Sequence, residues 1–348
     1  MKKNALIVIT GAAGFIGSNM VKYLNDRGFD NLVLVDDLTD GKKFKNIKNA
    51  RFSAYMDKTE LFEWLEEETL DYDDGSFLME NEGVHSIVDA IIHLGAISST
   101  TEWNGRLLME NNYKYSVRLF GFCQNYNVNY LYASSASVYG NTIQEGGNER
   151  AIDPLNAYAF SKASLDQYVR SFIEKVSSNK EDQVVSAQMF GSQEVAFEDE
   201  LTDLNPVSGL RFFNVYGPNE EHKGNQASPV TKFENQLQES GSVTVFQETA
   251  HRDFIHVEDV CAVIYWLLEN PCVGIFDVGT GEPRTFMDVA DILAHPHIGD
   301  GPIIKIPMPD KFKGHYQYYT KADLTPLRVA GCDHEFMSLE EGIGKIIK

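Results

Sequence analysis

The stretch TGAAGFIG, from Thr10 to Gly17, decides the fold of this chain. It follows the apolar run ALIVI and opens a helical pattern that extends to about Arg27. Its glycines allow a tight turn, a close approach of the backbone to a pyrophosphate and close packing of helix on strand, at Gly11, Gly14 and Gly17 in that order. The stretch therefore predicts a strand, a turn and a helix that together bind a dinucleotide. Glycines that only make a turn are the alternative.

Short apolar runs alternate with longer amphipathic stretches over the first half of the chain. The runs NLVLVDD, SIVDAIIHLGA and VNYLYASSA are typical of strands, and residues from about Asn104 to Tyr126 form a helical pattern long enough for a crossover. Strands that alternate with helices form right-handed βαβ units. We therefore expect an α/β fold: a Rossmann-type doubly wound parallel sheet with a smaller C-terminal substrate-binding lobe.

The second half of the chain is less regular. The segment from Phe190 to Ser208 is acidic, contains a proline and is expected to be a surface insertion. The apolar segment LRFFNVYGP follows. Strands are then predicted at VTVF and IFDVGTG, a helix-like stretch near Val230 to Glu239, and a strong helix at HVEDVCAVIYWLLEN. Two domains are expected, each from two parts of the chain: an NAD(P)-binding domain over 1–213 and 256–281, and a substrate-binding domain over 214–255 and 282–348.

The charge and the cysteine pattern exclude several classes of function. Acidic residues outnumber basic ones by 51 to 30 in the 348 residues, and the formal net charge is -21 at pH 7. Repulsion from phosphates argues against a general nucleic-acid binder, whereas a small anionic ligand would need a locally basic pocket. The four cysteines show no C-x-x-C spacing, so we expect no zinc or other metal site and no dithiol redox site.

The N-terminal sequence is similar to a signal peptide only at its start. Its apolar run, from Ala5 to Ile9, has the length of a strand, and glycines follow where the apolar stretch would have to continue. No stretch reaches the roughly 18 apolar residues of a membrane span. We therefore expect a cytoplasmic protein with no membrane partner.

The pentapeptide YAFSK, from Tyr158 to Lys162, predicts an acid/base pair. On a helix these two side chains lie on one face, because residues four apart have Cβ atoms about 5–6 Å apart. Asn156 is placed to cap the helix. An adjacent ammonium and an oxidised nicotinamide both favour the phenolate, and lowering a pKa near 10 by ~3 units would make the tyrosine a base. Ser135, in the preceding ASSASVYG, would bond the reacting oxygen. Chance spacing on an exposed helix is the alternative.

The choice between NAD and NADP is open from the residues alone. Asp36 and Asp37 end the second predicted strand, where a carboxylate that binds the adenosine 2′-hydroxyl belongs, and this favours NAD. Lys42 and Lys43 follow closely and would neutralise a 2′-phosphate, which favours NADP.

Four motifs, TGAAGFIG, IIHLGA, ASSASVYG and YAFSK, resemble those of the extended short-chain dehydrogenase/reductase superfamily. In that superfamily a serine, a tyrosine and a lysine form the catalytic triad, here Ser135, Tyr158 and Lys162. Further segments, among them VDDLTDGKKF, RFFNVYGPNEEHKG and HRDFIHVEDV, resemble the ADP-L-glycero-D-manno-heptose 6-epimerase family over nearly the whole chain. The gaps in the resemblance are the expected insertion and the residues near Asp71 to Val84.

The resemblance implies an enzyme of lipopolysaccharide core heptose biosynthesis that acts on an ADP-heptose. Such an enzyme oxidises the C6″ hydroxyl of ADP-D-glycero-D-manno-heptose with bound NADP and returns the hydride to the opposite face, which gives the L-glycero epimer. A second proton donor is needed beside Tyr158, and the family's histidine-lysine-glycine loop assigns this role to Lys223 in EHKG. The resemblance also implies a homo-oligomer, a homopentamer, with NADP as the cofactor and NAD as the alternative.

The other site residues follow from the resemblance, position by position. The implied cofactor-binding residues are Gly11, Gly14, Phe15, Ile16, Gly17, Asp36, Asp37, Lys43, Lys58, Leu94, Gly95, Ala96, Ile97, Ser98, Asn111, Tyr158, Lys162 and Val215. The implied substrate-binding residues, with Arg252 as a phosphate fork, are Ser135, Asn214, Lys223, Asn225, Lys232, Phe246, Arg252 and Tyr316.

The chain departs from the family pattern at several of these positions. Lys232 stands where histidine is usual and Asn225 where serine is usual, Asp37 replaces an asparagine, and Leu94 replaces a glutamate. The negative charge of Asp37 beside a 2′-phosphate disfavours NADP.

Other functions on the same fold remain as alternatives. One is another nucleotide-sugar epimerase of the hexose 4-epimerase type, and one is a non-catalytic dinucleotide-sensing module, which would typically lack the tyrosine and lysine. A 4,6-dehydratase is disfavoured, because Ala136 and Ser137 stand where those enzymes carry an aspartate and a glutamate.

Overall fold

The computed structural model describes residues 1–70, 87–142, 150–178, 204–247, 249–297, 303–309 and 317–347. The strands in chain order are β1 Ile7–Thr10, β2 Leu32–Asp36, β3 Ala54–Asp57, β4 Ala90–His93, β5 Asn129–Ser135, β6 Val207–Phe212, β7 Asn214–Tyr216, β8 Val243–Phe246, β9 His251–His256, β10 Gly274–Val278, β11 Pro283–Thr285 and β12 Ile303–Ile306. The helices are α1 Phe15–Asp26, α2 Phe44–Ile47, α3 Leu61–Leu70, α4 Gly105–Leu108, α5 Tyr115–Asn125, α6 Ala157–Ser178, α7 Pro229–Ser240, α8 Val257–Glu269, α9 Phe286–His297, α10 Thr325–Val329 and α11 Leu339–Gly344.

The large sheet has seven strands in the order β10-β6-β5-β4-β1-β2-β3, and all its neighbouring strands are parallel. The strand order reverses at β1, which lies between β2 and β4. Ligands of such sheets bind beyond the carboxyl ends of the strands at the point of reversal. The predicted doubly wound parallel sheet is confirmed.

The core explains why these apolar runs become strands buried on both faces. In β1, Ile7 and Ile9 join a cluster with residues of α1 and α8, whereas Val8 joins a second cluster with residues of α5 and α6. Successive strand residues point to opposite faces, so both faces of the sheet are covered by helices. Each such side chain, once fully buried, stabilises the fold by about 1.5–3 kcal/mol.

A second group of elements lies after β6 in the chain. It contains a three-stranded sheet in the order β11-β9-β7 and a two-stranded sheet of β8 and β12. An apolar cluster that includes Phe233, Val245, Leu293 and Ile343 joins α7, β8, α9 and α11. Helix α10 differs, because Leu327 packs into the core of the large sheet.

The segment LRFFNVYGP forms two strands in two different sheets. It divides into β6 of the large sheet and β7 of the three-stranded sheet, and the break falls at Phe213. The amide of Phe213 donates to the carbonyl of Val278 in β10, at 3.1 Å, and the chain then leaves the large sheet. A run of apolar residues does not reveal at which residue a strand changes sheets.

The predicted surface insertion is wrong at its C-terminal end. Residues 190–203 of that segment lie outside the described residues, but Val207 and Ser208 are the first residues of β6 and are buried. Asn205 is fixed beside them, since its side chain donates to the carbonyl of Gln124 at 2.6 Å. The acidic composition hid the start of this strand.

No helix among the described residues is long and apolar enough to cross a membrane.

Candidate active site

A cleft of 670 Å³ opens at the carboxyl ends of β1, β2, β4 and β5. All the predicted catalytic and cofactor-binding residues line it: Gly11, Gly14, Phe15, Ile16, Gly17, Asp36, Asp37, Lys43, Lys58, Leu94, Gly95, Ala96, Ile97, Ser98, Asn111, Ser135, Tyr158, Lys162, Val215 and Lys223. The structure therefore brings together residues as distant along the sequence as Gly11 and Lys223, because parallel strands end at one edge of the sheet.

The glycine turn between β1 and α1 suits a pyrophosphate. Gly11 has a φ of +68°, and a Cβ there would lie 2.7 Å from the backbone nitrogen of Gly95. A Cβ on Gly17 would overlap the carbonyl oxygen of Gly11. Gly14 begins α1 without any side-chain cap, so the first amides of the helix remain available to an anion. The residues present fit the phosphates of a dinucleotide.

The end of β2 holds two carboxylates and two lysines. The Asp36 carboxylate is buried and accepts the amides of Ala13 and Asp37, each at 2.7 Å, while Lys43 Nζ lies 2.5 Å from its Oδ1. Lys58 Nζ lies 3.1 Å from Asp37 Oδ2. Hydrogen bonds from Thr39 and Lys58 hold the pKa of Asp37 well below its usual range. The lysines thus offset the negative charge that Asp37 adds.

The predicted helix at Tyr158 is confirmed, and so is its cap. Helix α6 begins at Ala157, and the side-chain oxygen of Asn156 accepts the amide of Ala159 at 2.8 Å. Ser135 Oγ accepts the amide of Ser137 at 3.2 Å and its hydroxyl at 2.9 Å, and the Ser135 side chain also acts on the Tyr158 hydroxyl, whose pKa it acts to lower. Lys162 is almost fully buried, and its Nζ donates to the carbonyl of Ala133 at 2.7 Å. Ser135, Tyr158 and Lys162 therefore form one contiguous group at the end of β5.

Burial shifts the pKa values of Tyr158 and Lys162 in opposite directions. Burial raises the pKa of Tyr158, and the hydrogen bond with Ser135 acts in the opposite direction. Burial lowers the pKa of Lys162 to about 8, against the attraction of Asp166. In the protein without a nicotinamide, the desolvation of the phenolate outweighs the help that it receives; the expected lowering of the tyrosine pKa, which also depends on an oxidised nicotinamide, stays a prediction.

Two buried polar side chains that we did not predict support this group from behind. His93, at the end of β4, lies between Thr10 Oγ1 at 2.6 Å and Ser116 Oγ at 2.7 Å, and burial lowers its pKa to about 3. Asn112 bonds both backbone groups of Ile97 and also Ser161 of α6, at 2.8 to 3.1 Å. A neutral His93 and a fixed Asn112 hold the cofactor segment after β4 against α6.

Asn112 lies where the predicted long helix is interrupted. Residues Met109–Lys114 form a π-helical turn between α4 and α5. Such turns insert one extra residue into the helical ladder. Periodicity alone predicts only the helix, so no local pattern indicates the interruption.

A charged network lies buried behind Lys162. Asp166 accepts from Arg211 Nε at 2.7 Å and from the Tyr132 hydroxyl at 3.1 Å. Arg211 also donates to the Tyr139 hydroxyl at 2.7 Å. Asp166 is thus neutralised by Arg211 and lies one helical turn after Lys162, where it favours the ammonium form of the lysine. The i, i+4 spacing of Lys162 and Asp166 predicts their proximity on a helix. No local pattern predicts that Arg211 in β6 bonds to Asp166.

The EHKG loop forms a 3-10 helix, Glu221–Gln226, and carries Lys223 into the cleft wall. Lys223 Nζ lies 3.4 Å from Glu220 Oε2 and 4.8 Å from the ring centroid of Phe15 in the glycine turn. Glu220 is almost fully buried and also accepts the amide of Ser228 at 2.6 Å and the hydroxyl of Thr231 at 3.1 Å. Lys223 is therefore held beside the glycine turn by a buried carboxylate that our sequence reading missed.

Apart from Lys223, the predicted substrate-binding residues outside the triad do not converge on the described part of the cleft wall. Asn214 is in β7, Phe246 ends β8, and Asn225 is exposed beside Lys223. Lys232 is in α7, where burial and the charge of Lys223 lower its pKa. These four side chains are absent from the part of the cleft wall that the structure describes.

Arg252 is also away from the cleft wall, among the described residues. It is buried, and its guanidinium donates to the carbonyls of His251, at 3.1 Å, and Gln317. The expected phosphate fork is therefore bonded to the main chain in this structure. Tyr316 lies outside the described residues.

The sequence model of the NAD dependent epimerase/dehydratase family matches residues 7–279. The chain belongs to this family. As the family description names NAD dependence, a nicotinamide dinucleotide is the cofactor class, and the glycine turn fits it.

Individual members of the NAD dependent epimerase/dehydratase family are similar to the chain over nearly its whole length. A curated ADP-L-glycero-D-manno-heptose-6-epimerase from Alkalilimnicola ehrlichii is 40% identical over 349 residues, which cover 97% of this chain and 95% of the relative. The crystal structure of an ADP-L-glycero-D-manno-heptose-6-epimerase from Helicobacter pylori matches with a TM-score of 0.75 and 25% identity, over 99% of this chain and 95% of that one.

A UDP-glucose 4-epimerase from Thermotoga maritima, solved with UDP-glucose, has a TM-score of 0.73 at 23% identity over 97% and 96% of the two chains. At this identity the likeness concerns the fold alone.

Proposed function

We propose that the protein is an ADP-L-glycero-D-manno-heptose 6-epimerase, which interconverts the D-glycero and L-glycero forms of ADP-heptose at C6″. The observation that carries the proposal is that Ser135, Tyr158 and Lys162 line the same cleft as the dinucleotide turn. The 40% identity to a relative of that name over 97% of the chain supports the choice of substrate. The product serves lipopolysaccharide core heptose biosynthesis.

The side chains of this cleft supply the proton transfers of such an epimerisation. Tyr158 takes the proton of the C6″ hydroxyl, and Ser135 donates a hydrogen bond to the same oxygen. A nicotinamide held by the residues of the glycine turn would supply the hydride chemistry, removal from C6″ and return to the other face of the carbonyl. The pKa of Lys162 is about 8, so at a pH below 8 the lysine keeps a positive charge near the phenolate. Lys223 is the proposed proton donor for the return step, since it lies in the same cleft wall.

The proposed cofactor is NADP, with NAD as the alternative. Lys43 and Lys58 lie at the end of β2, where the adenosine ribose of a dinucleotide belongs, and each already contacts a carboxylate there. A 2′-phosphate carries up to two negative charges. The ammonium groups of Lys43 and Lys58 would contact it in addition to the carboxylates of Asp36 and Asp37. The other cofactor-binding residues are those that line the cleft. Asn214, Asn225, Lys232, Phe246, Arg252 and Tyr316 are proposed to contact the sugar nucleotide.

The proposal also covers the organisation of the chain. Residues 1–213 and 256–281 form the cofactor domain, and residues 214–255 and 282–348 form the substrate domain, although Leu327 and Cys332 pack with the large sheet. The protein acts in the cytoplasm as a homo-oligomer, a homopentamer by its resemblance to the family.

The test is substrate turnover without added cofactor. The purified protein is incubated separately with ADP-D-glycero-D-manno-heptose and with UDP-galactose, and the stereochemistry of each product is followed by NMR. We expect conversion of the heptose to its L-glycero epimer and no conversion of UDP-galactose. Turnover of UDP-galactose alone would replace the heptose assignment by a hexose 4-epimerase.

A further inference from the structure

His222 has no role in the account above, yet its imidazole ring lines the cleft at the end of β2. It lies on the EHKG loop, directly before Lys223. The charged groups that face the ring are Lys43 and Lys223, whose charges lower its pKa, and Asp36 and Asp40, whose charges raise it. His222 therefore adjoins the carboxylate and the lysine that mark the adenosine ribose, rather than the Tyr158 group.

Asn46 fixes the ring. Its side-chain nitrogen donates to the carbonyl of Ala13 at 2.9 Å, which identifies that atom as the NH₂ group, and it lies 3.2 Å from His222 Nδ1. An NH₂ group can only donate, so Nδ1 must accept. The proton of the neutral ring is then on Nε2. Among the residues that the structure describes, none bonds to that atom.

Burial and the two neighbouring lysines oppose protonation of the same ring. Burial is the largest cause of the lowered pKa of His222, followed by the charges of Lys223 and Lys43. A second proton would also have to sit on Nδ1, opposite the NH₂ group of Asn46. The ring of this cleft-lining residue is therefore a neutral donor through Nε2, and a neutral donor costs little to bring beside an anion.

We propose that His222 is a cofactor-specificity residue, which donates a hydrogen bond from Nε2 to the 2′-phosphate of NADP in a position set by Asn46. This inference rests on the proposed dinucleotide site, but it does not depend on the identity of the sugar. With Lys43 and Lys58, it would give the 2′-phosphate three donors from three separate segments of the chain. An unmodified 2′-hydroxyl has one oxygen and would not accept hydrogen bonds from all three donors.

The test measures the preference for NADP over NAD in the protein as purified. The protein is equilibrated with mixtures of the two dinucleotides, desalted and denatured, and the released NADP and NAD are quantified by chromatography. The variants are His222→Ala, which removes the donor, and His222→Gln, which keeps an N–H donor that does not titrate. His334→Ala is the matched control, because His334 is a partly exposed histidine bonded to Asp259 outside the cleft.

We expect the NADP:NAD ratio of His222→Ala to fall about tenfold or more, as for a lost hydrogen bond to a charged group. His222→Gln should restore most of the ratio, and His334→Ala should leave it unchanged. Retention of NAD by His222→Ala shows that this variant is folded. If His222→Ala fails to fold, the test uses His222→Gln, with Lys43→Gln as the reference for a lost phosphate contact. An NADP:NAD ratio of His222→Gln as low as that of Lys43→Gln would contradict a donor role.

Other results would overturn the proposal. Equal losses of NADP and NAD in His222→Ala would place the contact at the pyrophosphate, and an unchanged ratio would remove His222 from cofactor binding. The effect of His222→Ala should also be the same at pH 6.5 and pH 8.5, because the donor is neutral; an effect that vanishes at pH 8.5 would require an imidazolium. A wild-type protein without preference for NADP would contradict the role of His222 and leave the epimerase proposal intact.

Discussion

Two parts of the cleft wall are built in different ways. The Tyr158 part consists of the end of β5 and the first turns of α6, and its side chains are fixed by elements of the large sheet. The Lys223 part is a loop whose position depends on side-chain hydrogen bonds, chiefly those that Glu220 accepts. Further hydrogen bonds join the loop to α1 and α2, and they involve Asn19, Asn46 and Asn219. Regular elements place a residue through local spacing, whereas a loop is placed by contacts between distant residues.

Because of this difference, we expect a substitution in the Tyr158 part to lower turnover and to leave the fold and the dinucleotide site intact. In Tyr158→Phe, the proton acceptor is lost but the ring still packs, so turnover of the ADP-heptose should fall by about 10²- to 10⁴-fold. The dinucleotide content, measured after denaturation, should stay equal to that of the wild type. Unchanged turnover would remove Tyr158 from the reaction, and loss of the dinucleotide would show that the tyrosine is needed to hold the site.

The Lys223 part should instead fail through structure. Both Glu220 oxygens accept hydrogen bonds, so Glu220→Gln would turn an NH₂ group toward donors and leave buried groups unsatisfied. We expect it to lower the free energy of unfolding by about 1–3 kcal/mol and to speed the loss of the dinucleotide. Chemical denaturation and dinucleotide exchange measure the two effects.

Glu221→Gln is the matched control for Glu220→Gln, because Glu221 is the adjacent glutamate and is exposed. It should change neither quantity. Equal effects of the two substitutions would mean that the loop responds to charge in general and is not positioned by Glu220.

The smallest expected effect concerns His93, behind the Tyr158 part. Its pKa of about 3 in the fold lies below its ordinary value of 6.5, so the unfolded chain binds a proton first as the pH falls. The stability that a neutral His93 contributes is complete above pH 6.5 and is lost as the pH falls toward 3. His93→Asn should therefore make unfolding less sensitive to acid. Denaturation curves at pH 7 and pH 5 test this, and equal pH sensitivity of the two proteins would contradict a buried neutral histidine.

Much of the Tyr158 part and of the dinucleotide turn was predictable from local patterns. Gly11 and Gly17 follow a strand and open a helix, and Asn156 caps the helix that presents Tyr158 and Lys162. Each of these signals lies within a few residues of the side chain that it places.

The rest depends on contacts that no local pattern encodes. Glu220 is one of two adjacent glutamates, and only the fold decides which of them is buried. Arg252 was expected to bind phosphate, but its guanidinium bonds to the carbonyl of Gln317, 65 residues away. The desolvation that raises the pKa of Tyr158 in the protein alone was not predictable, because it is a property of the packed cleft and not of the Tyr-x-x-x-Lys spacing.

The most direct test of the central claim follows the hydrogen at C6″. ADP-D-glycero-D-manno-heptose that carries deuterium at C6″ is incubated with the protein in ordinary water, and the product is analysed by NMR. Oxidation and re-reduction by one retained dinucleotide predicts the L-glycero epimer with deuterium still at C6″. Loss of the label to solvent during epimerisation would contradict the account, because it would mean that C6″ is inverted by proton exchange and not by hydride transfer.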